Sequence, residues 1–119
     1  MIPKHTKEAI DRYVEQGYPT GDFLRAVLTN NLYDAACYAD NENRDALYDI
    51  VIYLFNYLPY CSFGTIEKVK AWLQAHKTNR RLTYENTTID IDSAIEFDKK
   101  RRTEFYEREQ DESDKNPKS

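Results

Sequence analysis

Apolar residues recur at helical spacing over the first two thirds of the chain, and the densest run, Asn43–Leu58, is apolar almost all round. Within it Leu47, Ile50, Val51, Leu54 and Leu58 form one face, while Tyr48, Ile52, Tyr53, Phe55 and Tyr57 take most of the remainder. A helix apolar on every side belongs in the middle of a bundle. The segment is therefore expected to be the buried central helix.

Other helices are marked around it. Thr6 is placed to cap a first helix with Glu8 in its opening turn; Ile10, Tyr13 and Val14 give its inward stripe, and Gly17 ends it. Pro19-Thr20-Gly21-Asp22 opens a second element, with Thr20 as the expected cap. Its stripe runs through Leu24, Val27, Leu28, Leu32, Ala35, Ala36 and Ala39. Asn30-Asn31 interrupts it with side chains that compete for backbone hydrogen bonds, so a break or kink is expected there. Asp40-Asn41-Glu42-Asn43 supplies a cap for the central helix, and Pro59 stops that helix. After a short loop, Thr65 caps an amphipathic helix carrying Ile66, Val69, Trp72, Leu73 and His76.

The pattern changes after Lys77. Residues 78–92 lack a helical period and read as a linker, although Arg81–Tyr84 has the make-up of a short strand. Ser93 and Glu96 fit a capping box. The helix they open, over 93–110, holds the acid-first pairs Glu96–Lys100, Asp98–Arg102 and Glu104–Arg108. Its thin apolar content (Ile91, Ile95, Phe97, Phe105, Tyr106) suits light docking on the body, projection from it, or packing against a second copy in a homodimer. Residues 111–119 are polar and expected to form a disordered tail. The fold class that follows is all-α: a bundle of four to five helices over 1–77, then linker, charged helix and tail.

Composition sharpens this. Three glycines and four prolines in 119 residues disfavour a turn-rich β fold. The net charge of −4 gives no broad attraction to nucleic acid or anionic lipid. No apolar run reaches the ~18 residues of a membrane span. Cys37 and Cys61 lack metal or redox spacing and read as reduced thiols of a cytoplasmic protein, Cys37 in the core and Cys61 in a loop as the more reactive. Ten tyrosines are present, each an apolar body with a polar tip suited to half-buried and contact positions.

Catalytic patterns are lacking. The two histidines, His5 and His76, form no metal motif, and His76 lies where it can pack or meet helix C-terminal carbonyls. No nucleophile elbow, phosphate loop or dinucleotide fingerprint occurs. Asp45 and Asp49 stand one helical turn apart but lack the partners of a helical metal site, so they read as an exposed acidic face. No enzyme activity, cofactor or metal is expected. Asp34, Asp40, Glu42, Asp45 and Asp49 face only Arg44 within residues 31–60, a local acidic field suited to a basic partner. Lys99-Lys100-Arg101-Arg102 is the one basic run; with Lys77, Arg80, Arg81 and Tyr84 it sustains an alternative reading of nucleic-acid contact.

Gly17–Ala35, Ala39–Asn43, Ile50–Pro59 and Phe63–Leu73 together resemble a group of short bacteriophage- and prophage-encoded proteins. The likeness rests on P-T-G-x-F-L-x-A-V-L (here Pro19–Leu28), a following N-D-L and a closing G-S-x-x-x-V-x-x-W (here Gly64–Trp72). It spans roughly Ile10–Leu73. Asn31 stands in place of that Asp and Thr65 in place of that Ser, and both keep capping ability. The resemblance implies a small non-enzymatic protein that binds a host protein in the host cytoplasm, such as a defence component, or else an accessory of phage DNA metabolism. For the first role the candidate contacts are Tyr33, Asp34, Tyr38, Asp40, Glu42, Asp45, Asp49 and Tyr60; for the second, the basic segment of the C-terminal helix.

Overall fold

A computed structural model describes residues 1–115. The described residues form α1 (Lys4–Gln16), α2 (Asp22–Leu28), α3 (Leu32–Tyr38), α4 (Asn41–Asp45), α5 (Leu47–Tyr57), a 3₁₀ turn (Tyr60–Ser62), α6 (Ile66–Lys77), β1 (Arg81–Tyr84), β2 (Thr87–Asp90) and α7 (Ile91–Lys115). The protein is mostly helical but not purely all-α, because residues expected as a linker form a two-stranded antiparallel hairpin. Arg81 pairs with Asp90 and Tyr84 with Thr87. The hairpin turn places Glu85 and Asn86 at φ 50° and 65°, the two left-handed positions that match strand twist. Leu82 is buried and Ile89 and Tyr84 half-buried. So few inward residues on four-residue strands fall below what an alternating pattern can announce.

The core centres on Trp72, Tyr13, Ile10, Val14, Leu28, Ile50 and Ile91, all buried. Gly17 ends α1 in the left-handed conformation, φ 73°. A Cβ there would stand 2.6 Å from His76 Cβ and Cγ, so the close crossing of α1 by α6 admits glycine alone. Trp72 Nε1–H donates to the Val14 carbonyl at 3.2 Å, and His76 Nε2 meets the same oxygen at 3.0 Å. These two rings satisfy a carbonyl that the end of α1 leaves without an intrahelical donor.

Several expected helix boundaries move. α1 begins at Lys4 behind Pro3, whose carbonyl accepts from the Thr6 and Lys7 amides. Thr6 is thus interior to α1, and its buried hydroxyl donates to Asn43 Oδ1 at 2.6 Å. Gly21, not Thr20, occupies the cap position of α2, without a side-chain bond. The chain does break at Asn30-Asn31: Asn30 sits at φ 64°, and Asn31 Oδ1 accepts from the Asp34 amide at 3.0 Å to cap α3. The expected continuous helix Asn43–Leu58 is divided by a turn at Ala46 into α4, capped by Asp40, and α5. Thr65 caps α6 as its spacing implies.

α7 starts directly from β2, two residues before the expected capping box, so Ser93 lies inside its first turn. It docks on the body: Ile91, Ile95, Asp98 and Arg102 are buried, and the Phe105 ring lies 4.9 Å from Tyr57 and 5.2 Å from Tyr53. Its backbone runs on through the start of the expected tail, and residues 116–119 lie outside the described part.

Arg102 explains the docking. Its guanidinium is 2% exposed, donates to the Tyr57 carbonyl at 3.1 Å and to Glu15 at 3.0 Å, and faces Asp11 at 3.8 Å. Tyr53 Oη–H donates to Asp11 at 2.8 Å, and Lys7 reaches that carboxylate at 2.8 Å. Asp98 pairs with Arg101 rather than with Arg102. Removing one partner of a buried ion pair typically costs several kcal/mol, because the other charge is left unpaired. Arg102→Ala is therefore expected to lower stability by about 3 kcal/mol, the low end of that range, since Asp11 and Glu15 keep part of their solvation. Lys100→Ala, at an exposed position on the same helix, is expected to change it by less than about 0.5 kcal/mol. Urea unfolding of both variants measures the contrast, and equal midpoints would refute the role given to Arg102.

Candidate protein-binding face

The interrupted path α3–α4–α5 decides what the surface presents. Asn31 and Asp40 each start a short helix, which leaves α5 on the outside of the body. At about 100° per residue, Ile50, Tyr53 and Leu54 share the inward sector and are buried. Tyr48, Val51, Ile52 and Phe55 fall within about 100° on the opposite side, all exposed, with Phe55 at 77% and Tyr48 at 69%. Leu32 of α3 continues this strip at 71% exposure. Beside it a dent of about 50 Å³ is lined by Val27 of α2, the Asn30-Asn31 break, Leu32 and Ala35 of α3, and Leu47 and Val51 of α5. The expectation of a buried central helix is corrected accordingly: α5 has a core side and an open apolar side. Tyr48, Val51, Ile52, Phe55 and Leu32 were missed as contact residues, although the all-round apolar pattern of the segment was the available signal.

The candidate contacts divide among several places. Tyr33 and Tyr38 are exposed on α3, and Asp34 is half-buried beside its Asn31 cap, which bonds it at 2.9 Å. Asp34 and Tyr38 line a groove of about 440 Å³ with Asp22, Arg25, Ile66 and Lys70; its acids are balanced by its bases, so it is not an acidic patch. Asp40 is occupied in capping α4, accepting from the Asn43 amide at 2.8 Å. Glu42 and Asp45 are exposed on α4, and Asp49, on α5, pairs with the N-terminal ammonium at 3.1 Å. Asp45 and Asp49 thus stand on successive helices rather than one turn apart on one. Tyr60 lies elsewhere, on the 3₁₀ turn, with Lys68 Nζ 5.7 Å from its ring centre and 4.8 Å from that of Tyr84.

The chemically capable side chains are placed in structural settings. His76 is held below its ordinary pKa of 6.5, chiefly by burial. Burial pushes the Tyr13 and Tyr53 hydroxyls far up, the Asp11 carboxylate adding to the effect at Tyr53. The two cysteines exchange their expected roles: Cys37 is exposed, whereas Cys61 is buried and its thiol is pushed up by that burial. Among the described residues no three His, Cys, Asp or Glu side chains are grouped so as to hold a metal ion. No described helix is long and apolar enough to cross a membrane. Of the basic run, Lys99, Lys100 and Arg101 are exposed, but Arg102 is internal and Arg101 lies 5.2 Å over the Tyr57 ring while paired with Asp98. The run therefore presents fewer cations to phosphate than its sequence suggests.

No protein-family model matches this chain, and comparisons with curated proteins and with solved structures likewise find no match.

Two outcomes follow from these environments. A thiol reagent is expected to label Cys37 rapidly in the native protein and Cys61 only on unfolding, since Cys37 is exposed while burial both shields Cys61 and suppresses its thiolate; mass spectrometry of digested samples reads this directly, and prompt labelling of Cys61 would contradict its burial. For His76, the unfolded chain takes up a proton near pH 6.5 while the folded chain resists it, so stability is complete above that pH and declines below it. His76→Gln retains a donor for the Val14 carbonyl but does not titrate. Its Tm is expected to fall less than that of the parent between about pH 7.5 and about pH 5.5, and identical falls would remove His76 as the cause.

Proposed function

We propose that this chain is a small non-catalytic protein of the bacteriophage type that binds a host protein in the host cytoplasm, through the face built by α3, α4 and α5. The observation that carries the reading is the open apolar strip of Leu32, Tyr48, Val51, Ile52 and Phe55. Monomeric proteins rarely leave contiguous apolar surface of this kind uncovered unless it meets a partner. Exposing a Phe or Leu rather than burying it forgoes about 1.5–3 kcal/mol, so the strip is poorly explained by folding alone. The acids Glu42, Asp45 and Asp49 border it in sequence, and Tyr33 and Tyr38 add amphipathic rings of the kind enriched where binding energy concentrates. Inhibition of a defence component is one outcome of such binding that the phage resemblance suggests.

Affinity capture from nuclease-treated and untreated bacterial lysate tests this reading. A single stoichiometric protein is expected to survive nuclease and to be lost with Phe55→Glu, while Lys99→Glu together with Lys100→Glu leaves capture unchanged. Recovery that depends on nucleic acid and on those two lysines would overturn the reading in favour of an accessory role in DNA metabolism.

A further inference from the structure

We infer that the occupant of this face is a basic amphipathic helix, an inference that rests on the protein-binding reading and names the chemistry of the partner. Tyr48, Ile52 and Phe55 form an exposed apolar ridge two turns long, and Val51 beside it shares a small dent with Leu32 of α3. An exposed apolar ridge at i, i+4 and i+7 of a helix is the surface that another helix packs against. An extended peptide would instead seek an open strand edge, which this face does not contain.

Charge selects the sign. Asp49 and Asn56 follow the ridge on its other flank, Asp45 and Glu42 precede it in α4, and Arg44 is the single base within residues 31–60. The Arg44 guanidinium donates to the neutral Asn41 side chain at 3.2 Å and keeps its charge, so three acids stand against one side-chain cation. The ammonium bound to Asp49 is an exposed surface partner, and such pairs are worth little, so an incoming cation can replace it. A second copy of this chain would bring the same acids against each other across an isologous contact, which like-charge repulsion opposes. A helix with an aliphatic stripe and Lys or Arg on its borders satisfies both the ridge and its rim.

The probe is a synthetic helix of about 18 residues, Leu at i, i+3, i+4 and i+7 and Lys at the flanking positions, added to the full chain. Its controls are a scrambled peptide of equal composition and a version with Glu for Lys. Amide chemical shifts are expected to saturate over α3 and α5. Phe55→Glu, which alters a side chain outside the core, is expected to weaken binding at least about tenfold. Asp45→Lys with Asp49→Lys is expected to weaken it and remove most of its salt dependence. Equal binding of the scrambled peptide, shifts centred on α6 or α7, or a dimer in sedimentation that Phe55→Glu dissolves would each overturn the inference. Failure of the peptide to displace a lysate partner that does depend on Phe55 would reject the basic helix while leaving the protein-binding reading intact. Loss of both results would reject both.

Discussion

The guanidinium of Arg102 ties together three helices that are distant in sequence. It enters from α7, reaches Glu15 and Asp11 on α1, and caps the last carbonyl of α5 at Tyr57. A cation at a helix C-terminus is also favoured by the helix dipole. Because a buried charge without partners is intolerable, α7 has one register on the body, and that register brings Phe105 onto the Tyr53 and Tyr57 rings. Tyr53 completes the arrangement by donating to Asp11 from the core side of α5. The inward sector of α5 is thus committed to α1 and α7.

The consequence lies on the other side of the same helix. The segments that precede α5 are interrupted at Asn30-Asn31, at Ala39-Asp40 and at Ala46, and the first two breaks commit Asn31 and Asp40 to capping rather than to covering apolar surface. Helices of five to seven residues, such as α2, α3 and α4, have too little length to enclose a neighbour on two sides. Tyr48, Val51, Ile52 and Phe55 stay open for that reason, and the acids of α4 stand next to them. The surface proposed for binding is what remains after the core has been closed from the opposite side.

The second anchor, the meeting of α1 and α6, works without charge. Gly17 lets the chains approach, and Trp72 and His76 both address the Val14 carbonyl. Burial lowers the His76 pKa against the opposing pull of the Val14 carbonyl, which accepts from Nε2–H in the Nε2 tautomer of the neutral ring as in the cation. A side chain that from its type alone invites a catalytic reading is engaged in closing a helix end.

The helices with strong local signals were legible in the chain itself: Ile10, Tyr13 and Val14 on one stripe, Gly17 as terminator, Asn31 and Thr65 as caps, Pro59 as a stop. These depend on interactions within a few residues, so sequence alone determines them. The hairpin was hidden because Leu82 and Ile89 give too short an alternation. The start of α1 was hidden because Thr6 bonds across the fold to Asn43 rather than to its own backbone. Arg102 looked like one member of a basic run, and Cys61 like a loop thiol, since neither burial nor the arrival of Glu15 and Asp11 is written near them. Most of all, an apolar face reads identically whether it turns to the core or to solvent. Which side of α5 was buried was settled only by long-range packing, because the partners that cover it, α1 and α7, come from opposite ends of the chain.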